Sequence, residues 1–381
     1  LNKLKANDSS VNWEKYKPAI IAFLKKGNKD IYTIQPVETN SIIKSLFDYY
    51  RKFYSKKLYQ EPENRVFDIV CITTLFTFYW DITIKTINFA KLICKDFNKI
   101  FVGGVMASIL SKEIFDATGI KSFVGTLHTP GDLDKDNNLI IDTLPLDYSI
   151  LDEIDYQYPA SNAYYAYMTR GCVNKCKFCA VPKLEPHYID YISVSKQIED
   201  IKNKFGAKKD LLLLDNNVLA SKNFNMIIDD IKKAGFTKGT KFSEPNQYEI
   251  IIKNLKSGYN DTAYIKACVK QFKKLFQKLK SDELSDAYKL IYEYNLDYDY
   301  TATKENILAT YNDFKPLFEK LYKGTSCLCF VDFNQGIDSR LITDTNMEKL
   351  AEIPIRPLRI AFDHWELRTT YEKAVRTAVK H

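Results

Sequence analysis

An α/β fold is what this sequence predicts: a doubly wound amino-terminal domain, then a partial (β/α) barrel interrupted by a helical insertion. Three observations predict it. Short β-branched runs alternate with helix-like runs between residues 60 and 130. The same alternation starts again at Ala163. A Lys- and Tyr-rich stretch, residues 236–325, breaks that second series before it resumes at Cys327. At 381 residues and 45% hydrophobic side chains, the chain can build more than one domain with a core of its own.

Taken in order, residues 1–59 form a mixed, partly helical segment, with an apolar run at 31–34 and a helical pattern at 41–50. The doubly wound domain spans 60–150. Its strands are expected at 67–73, 99–102 and 121–125 and its helices at 83–94 and 106–115, an order that reads as a parallel sheet covered by helices. Gly103 and Gly104 follow the second strand as a strand-to-helix turn, or as a close approach for a phosphate or cofactor tail. Residues 132–138 are polar and turn-rich, 139–141 read as a short strand, and 144–159 as a linker, with a domain boundary near 150. The barrel region, 160–381, then opens with a strand at 163–168. A helix at 195–205, a strand at 210–215 and a helix at 224–234 follow. Within the insertion Val269, Phe272, Leu275, Phe276 and Leu279 share one face of a helix whose lysines point away. The last elements are a strand at 327–333, a helix at 345–351, a strand at 358–363 and a helix from Glu366.

Charge and composition exclude little. The net charge of +7, from 55 basic and 48 acidic residues, is spread along the chain and is a weak pointer to an anionic partner. No apolar stretch approaches the roughly 20 residues that span a bilayer, so no membrane segment is expected. The first residues carry neither an initiator Met nor a signal-peptide core, which suggests a cytoplasmic protein whose beginning is missing. Eight cysteines in such a chain point to reduced thiols or metal ligands.

Spacing decides between these. Cys172, Cys176 and Cys179 form a C-x3-C-x2-C run directly after a strand, with Thr169, Arg170 and Gly171 before it and Ala180, Val181 and Pro182 after it. Three thiolates on one tight loop suit three corners of a [4Fe-4S] cubane and leave the fourth iron without a protein ligand. Gly171 supplies flexible backbone, and Phe178 offers an apolar cover for the cluster. Zinc held by the same thiols and His187 is a competing reading, as is a closed cluster with Cys327 or Cys329 as fourth ligand. Cys71, Cys94 and Cys268 sit among apolar neighbours and read as core.

The cysteine run at the end of the first strand of a βα series resembles the radical SAM superfamily. Its flanking residues are similar to members with an N-terminal cobalamin-binding-type domain and to methylthiotransferases. The resemblance implies a TIM-like radical SAM barrel, a [4Fe-4S] cluster, and S-adenosylmethionine cleaved reductively to a 5′-deoxyadenosyl radical. Methyl or methylthio transfer is the nearest subclass, and the electron would come from an external donor of the flavodoxin or ferredoxin type. By position on the second strand, Asp215, Asn216 and Asn217 would hold the methionine amino group, although the usual Gly-Gly-Glu is absent. Gln335, Asp338 and Arg340 would line the same cavity, with Arg340 either pairing the methionine carboxylate or bridging at the surface. Asp363 and His364 end a later strand in the same way. The resemblance leaves room for cobalamin, but the Asp-x-His-x-x-Gly run is missing and the nearest histidine is His128. The βα units before His381 fall short of a full barrel, which suggests a fragment or a short barrel. The alternative from another class is a non-catalytic zinc or iron–sulfur protein. The lysines at 270–280, with Tyr259, Tyr264 and Tyr288, would suit RNA or simply a solvated helix face.

Overall fold

The structure, a computed structural model, describes residues 1–54, 65–133, 138–154, 158–299, 301–324 and 326–381. Parts of the turn at 132–138 and of the linker at 144–159 therefore lie outside the described residues. The chain divides into two compact units, Leu1–Thr126 and Leu127–His381. That division falls well before residue 150, because Asp142 and Tyr148 belong to the second unit: Asp142 pairs with Arg170, and the buried Tyr148 hydroxyl donates to the Ala163 carbonyl at 2.9 Å.

The first unit has two cores. Helices α1 (Asn2–Asn7), α2 (Lys17–Lys26), α3 (Gln35–Thr39) and α4 (Ser41–Tyr54) enclose Trp13, Phe23, Ile31, Ile43 and Phe47. Trp13 is wholly buried and can be so because its indole N–H donates to the Asp8 carbonyl at 2.8 Å. The second core lies against two parallel strands, β1 (Val70–Thr74) and β2 (Ile100–Gly104), with α5 (Trp80–Ile93), α6 (Val105–Ile109) and α7 (Ser111–Thr118). Gly104, at φ 98°, is forced by close approach: a Cβ there would lie 2.2 Å from the Thr74 carbonyl oxygen. Thr74 Oγ1 in turn accepts from the Ala107 N–H at 2.9 Å, so the glycine pair serves the strand-to-helix turn.

Two expectations change here. The helix over 106–115 breaks at Leu110 (φ −113°, ψ 38°), after Ser108 has turned its hydroxyl back onto the Gly104 carbonyl. The third strand, 121–125, is reduced to a single bridge between Ser122 and Val102, since the Ser122 hydroxyl bonds Ala107 and Ser111 and Gly125 turns the chain at positive φ. The described sheet of this unit thus has two strands.

The second unit begins irregularly. Residues 139–141 are not a strand: a 3₁₀ turn, Ile141–Thr143, occupies the place, and the Asp142 N–H bonds the Leu127 carbonyl. After α8 (Ile150–Glu153) come β3 (Ala163–Ala166), the cysteine loop with the short α9 (Val181–Leu184), and α10 (Val194–Phe205). Strand β4 (Asp210–Leu213) and α11 (Phe224–Lys233) follow. Ile198, Ile201 and Phe205 of α10 and Ile227, Ile228 and Ile231 of α11 bury their helical stripes against Leu211 and Leu213. Asp230 ties the two helices together by accepting from the Tyr191, Ser193 and Ser195 hydroxyls and the Val194 N–H.

The βα order is then interrupted by a helical insertion, as expected. Strand β5 (Lys241–Phe242) leads into α12 (Gln247–Ser257), α13 (Asp261–Phe276), α14 (Ser281–Glu293), α15 (Lys304–Ala309) and α16 (Tyr311–Leu321), which close a core of their own. Strand β6 (Cys327–Leu328) pairs antiparallel with β5 and brings the chain back beside its point of departure. Val269, Phe272 and Leu275 are buried on the predicted face. Several lysines of α13, however, face protein: Lys266 bonds the Glu153 carbonyl, Lys270 reaches Asp152, and Lys274 pairs with Glu244.

The sheet resumes with β7 (Val331–Phe333), which completes the parallel order β3-β4-β7. Strands β8 (Ile337–Asp338) and β9 (Ile360–Ala361) pair in parallel separately, around α17 (Asp344–Leu350), and α18 (Arg368–Lys380) follows. Among the described residues no closed barrel forms. The contact that would join the last strands to β7 is a single bridge, Val331 to Ile355, flanked by Pro354 and Pro357, which cannot donate to a ladder.

Within the insertion core the Tyr248 ring stacks on Phe318 at 4.2 Å, yet its hydroxyl is buried without a hydrogen-bond partner among the described residues. Burying that group costs stability, so Tyr248→Phe should leave the unfolding midpoint unchanged or raise stability by about 1 kcal/mol in urea titration. A clear loss would mean that the hydroxyl has a partner.

Candidate functional site

The site is built at the carboxyl end of β3, where the chain leaves the sheet and must satisfy its backbone donors. Asp215, two residues beyond β4, does this. Its carboxylate accepts from the Met168 N–H at 3.0 Å, from the Thr169 N–H, and from the Thr169 hydroxyl at 2.7 Å. Arg170 and Ile189 then exchange backbone hydrogen bonds as an isolated antiparallel bridge, so residues 171–188 form an excursion pinned at both ends. Gly171, at φ 72°, starts it. A Cβ there would lie 2.7 Å from the His187 carbonyl oxygen, a distance that only glycine avoids.

An ion-pair network holds the base of the excursion. The Arg170 guanidinium pairs with Asp142 at 2.6 Å and Glu185 at 3.3 Å and stacks over the Tyr167 ring at 4.0 Å. Burial alone would lower its pKa, but Glu185, Tyr167 and Asp142 outweigh it and raise it. Glu185 also accepts from the Gly171 N–H at 2.6 Å and from the Asn216 amide at 2.9 Å.

Along the loop Cys172, Asn174, Cys176 and Cys179 are half-buried, whereas Val173, Lys175, Lys177 and Phe178 are exposed. Amide groups address the first sulfur: the Asn174 N–H lies 3.4 Å and Asn217 Nδ2 3.9 Å from Cys172 Sγ. Such donors stabilise a thiolate. Asn217 is 3% exposed and its Nδ2 also donates to Asp338 at 3.2 Å, while its Oδ1 is buried with no donor among the described residues. Asp338, at the end of β8, accepts in addition from Asn174 at 3.1 Å and from Arg340 through Nε and the terminal nitrogen, each at 2.7 Å. Burial would raise the Asp338 pKa, but Arg340 holds it below the ordinary carboxylate value. Asp363, after β9, stands 3.9 Å from the same guanidinium. The carboxyl ends of β3, β4, β8 and β9 thus converge, as barrel-like sheets arrange their sites.

The structure therefore brings most of the sequence candidates together, but with altered roles. Asp215, Asn216, Asp338 and Arg340 hold one another and the loop. The Arg340 fork is committed to Asp338, which raises its pKa, and is not a free carboxylate receptor. Phe178 is 71% exposed and so is not packed as a cover, and Gln335 is exposed at the turn before β8. Among the described residues, no three His, Cys, Asp or Glu side chains are gathered as a group that could hold a metal ion. His187 is exposed. Cys327 and Cys329 precede β7, at the opposite end of the sheet from Cys172, with Cys329 buried in the main core, so neither closes the cysteine loop as a fourth ligand. His128 lies in the second unit, and the first has no histidine at all.

Four contributors escaped the sequence reading. Asp142, Glu185 and Asn174 are ordinary loop residues until the fold aligns them. Tyr188 has a buried hydroxyl without a partner of normal hydrogen-bond geometry among the described residues. Burial, with the charges of Asp190, Cys172 and Asp215 nearby, pushes its pKa up to about 12. Only the nearness of Glu185 and Tyr188 to the cysteine run hinted at them.

Burial pushes the Asp215 carboxyl from 3.8 up to about 6, against the pull of its three donors. The folded protein therefore keeps a proton that the unfolded chain releases, and the associated stability is present below the unfolded pKa and lost as pH rises through 6. Relative to Asp215→Asn, the wild type should lose about 2–3 kcal/mol between about pH 4 and 7 in urea titrations, whereas parallel profiles would mean an ionised carboxyl throughout. Gly171→Ala should cost about 1–3 kcal/mol and speed the reaction of Cys172 with a thiol reagent. Unchanged reactivity would show that the loop does not need its positive φ.

No protein-family model matches the chain, and no curated protein matches it.

Proposed function

We propose that the chain is a radical SAM enzyme acting on an unidentified substrate, with Cys172, Cys176 and Cys179 as the protein ligands of a [4Fe-4S] cluster. The observation that carries the reading is the set of three half-buried thiols on one short pinned loop at the carboxyl end of β3, with amide donors aimed at the first sulfur. The three sulfurs are not gathered as a metal-holding group in this structure, but a donor set of three thiols on one loop, drawn together on binding, suits a cluster with one open iron. When bound, the cluster would pass an electron from an external flavodoxin- or ferredoxin-like donor to S-adenosylmethionine and so generate a 5′-deoxyadenosyl radical.

This chain's own residues would then bind and orient. Asn217, whose Nδ2 lies 3.9 Å from Cys172 Sγ, has in Oδ1 a buried acceptor with no donor among the described residues, suited to a ligand ammonium. Asp338 keeps the Asn217 amide turned so that this oxygen stays free, and Asp215 fixes the start of the loop. Methyl or methylthio transfer remains the subclass closest to the cysteine motif, and a partial TIM-like barrel belongs to the same proposal. A corrinoid on the first unit would have to bind without a histidine from that unit. RNA is a weaker candidate substrate, because Lys266, Lys270 and Lys274 already have partners within the second unit.

The commitment of Arg340 to Asp338 favours a second reading, a non-catalytic protein in which zinc or a cluster staples the loop. Anaerobic reconstitution with iron and sulfide, reduction by dithionite and addition of S-adenosylmethionine separates the two. We expect 5′-deoxyadenosine and methionine from the wild type and neither from Cys176→Ala. A stable cluster or zinc site with no cleavage would support the staple.

A further inference from the structure

A cavity of about 250 Å³ opens in the second unit between the βα core and the helical insertion, at the amino ends of β3 and β4, the opposite end of the sheet from the cysteine loop. Its walls are mostly polar. Asp152, Asn162, Glu244, Gln247 and Gln271 contribute carboxylates and amides, and the Lys208 ammonium is the cation among them. Lys208 Nζ donates to the Phe205 carbonyl at 3.2 Å and lies 4.9 Å from the Tyr148 ring centroid, but no carboxylate of the described residues is within ion-pair distance. Asp152 and Glu244 instead pair with Lys270 and Lys274. Burial lowers the Lys208 pKa, with Asp152 opposing, which increases the share of neutral amine near pH 7.

A desolvated lysine in a cavity is a nucleophile toward carbonyl carbon. The carboxylates on the walls accept, and the amides accept and donate, hydrogen bonds to hydroxyl groups. The volume suits a small molecule. We propose that this cavity binds short-chain hydroxyaldehydes and that Lys208 captures them as an imine. The amine nitrogen adds to the carbonyl carbon, its proton passes to the carbonyl oxygen, and loss of one water leaves the C=N bond with no change in electron count. This site is independent of the cysteine loop and of the function proposed for it.

The test uses the full chain, D-glyceraldehyde and sodium cyanoborohydride at pH 7, with the modified lysines located by peptide mass spectrometry. Lys208 should be labelled faster than the exposed Lys278 and Lys280, because burial in the cavity favours its neutral amine. In Gln271→Phe, which fills the cavity but keeps the amine, labelling of Lys208 should fall to the surface rate while Lys278 is unaffected. Even labelling across the lysines, a spared Lys208, or undiminished labelling in a natively folded Gln271→Phe would each overturn the proposal.

Discussion

The second unit turns on one buried carboxylate. Asp215 sits past the end of β4 and collects the backbone donors that β3 leaves unpaired at Met168 and Thr169. A chain leaving a parallel sheet has no neighbour to satisfy those groups, and a buried N–H without a partner costs as much as a lost hydrogen bond. By meeting that need from the adjacent strand, Asp215 fixes where the cysteine loop begins. Arg170, held by Asp142 and Glu185, can then form its bridge to Ile189, and the loop between them takes a defined shape. The carboxyl accepts burial in return, and its shifted proton affinity records the tension between desolvation and donated hydrogen bonds.

Much of the fold was legible in the residues because most elements carry a strong period. The stripes of α10, α11 and α13 and the apolar runs of β3 and β4 lie close to where their patterns put them. Failures fell where tertiary partners overrode local pattern. Residues 121–125 are apolar enough for a strand, but Ser122 spends its hydroxyl on helix groups. The stretch at 139–141 curls into a 3₁₀ turn that presents Asp142 to Arg170, a contact no local propensity encodes.

The candidate site was legible by type and misjudged by role. Spacing marked out the cysteines as candidates, and strand order put Asn217, Asp338 and Arg340 near the loop, where the structure has them. It could not reveal that Asp338 and Arg340 would neutralise each other, since mutual pairing depends on side-chain reach. Nor could it show that the lysines of α13 would be drawn inward by Glu153, Asp152 and Glu244. A sequence lists charges, whereas only a fold says which have already found their opposites.

The two-residue ladder between β5 and β6 reaches further than its size suggests. Strand β4 must find β7 across the whole helical insertion, a separation that would make the parallel sheet slow to assemble. The insertion closes a core of its own from nearby helices, and in doing so it delivers Phe242 and Cys327 to each other. Once those residues pair, β7 starts only a few residues away from a strand end already anchored to the core, and the remaining search is short. Loop closure grows only slowly with length, by about 0.6 kcal/mol per doubling, so a self-collapsing insertion adds little to it. The ladder thereby exchanges one long-range encounter for a series of local ones, at the point where the insertion begins and ends.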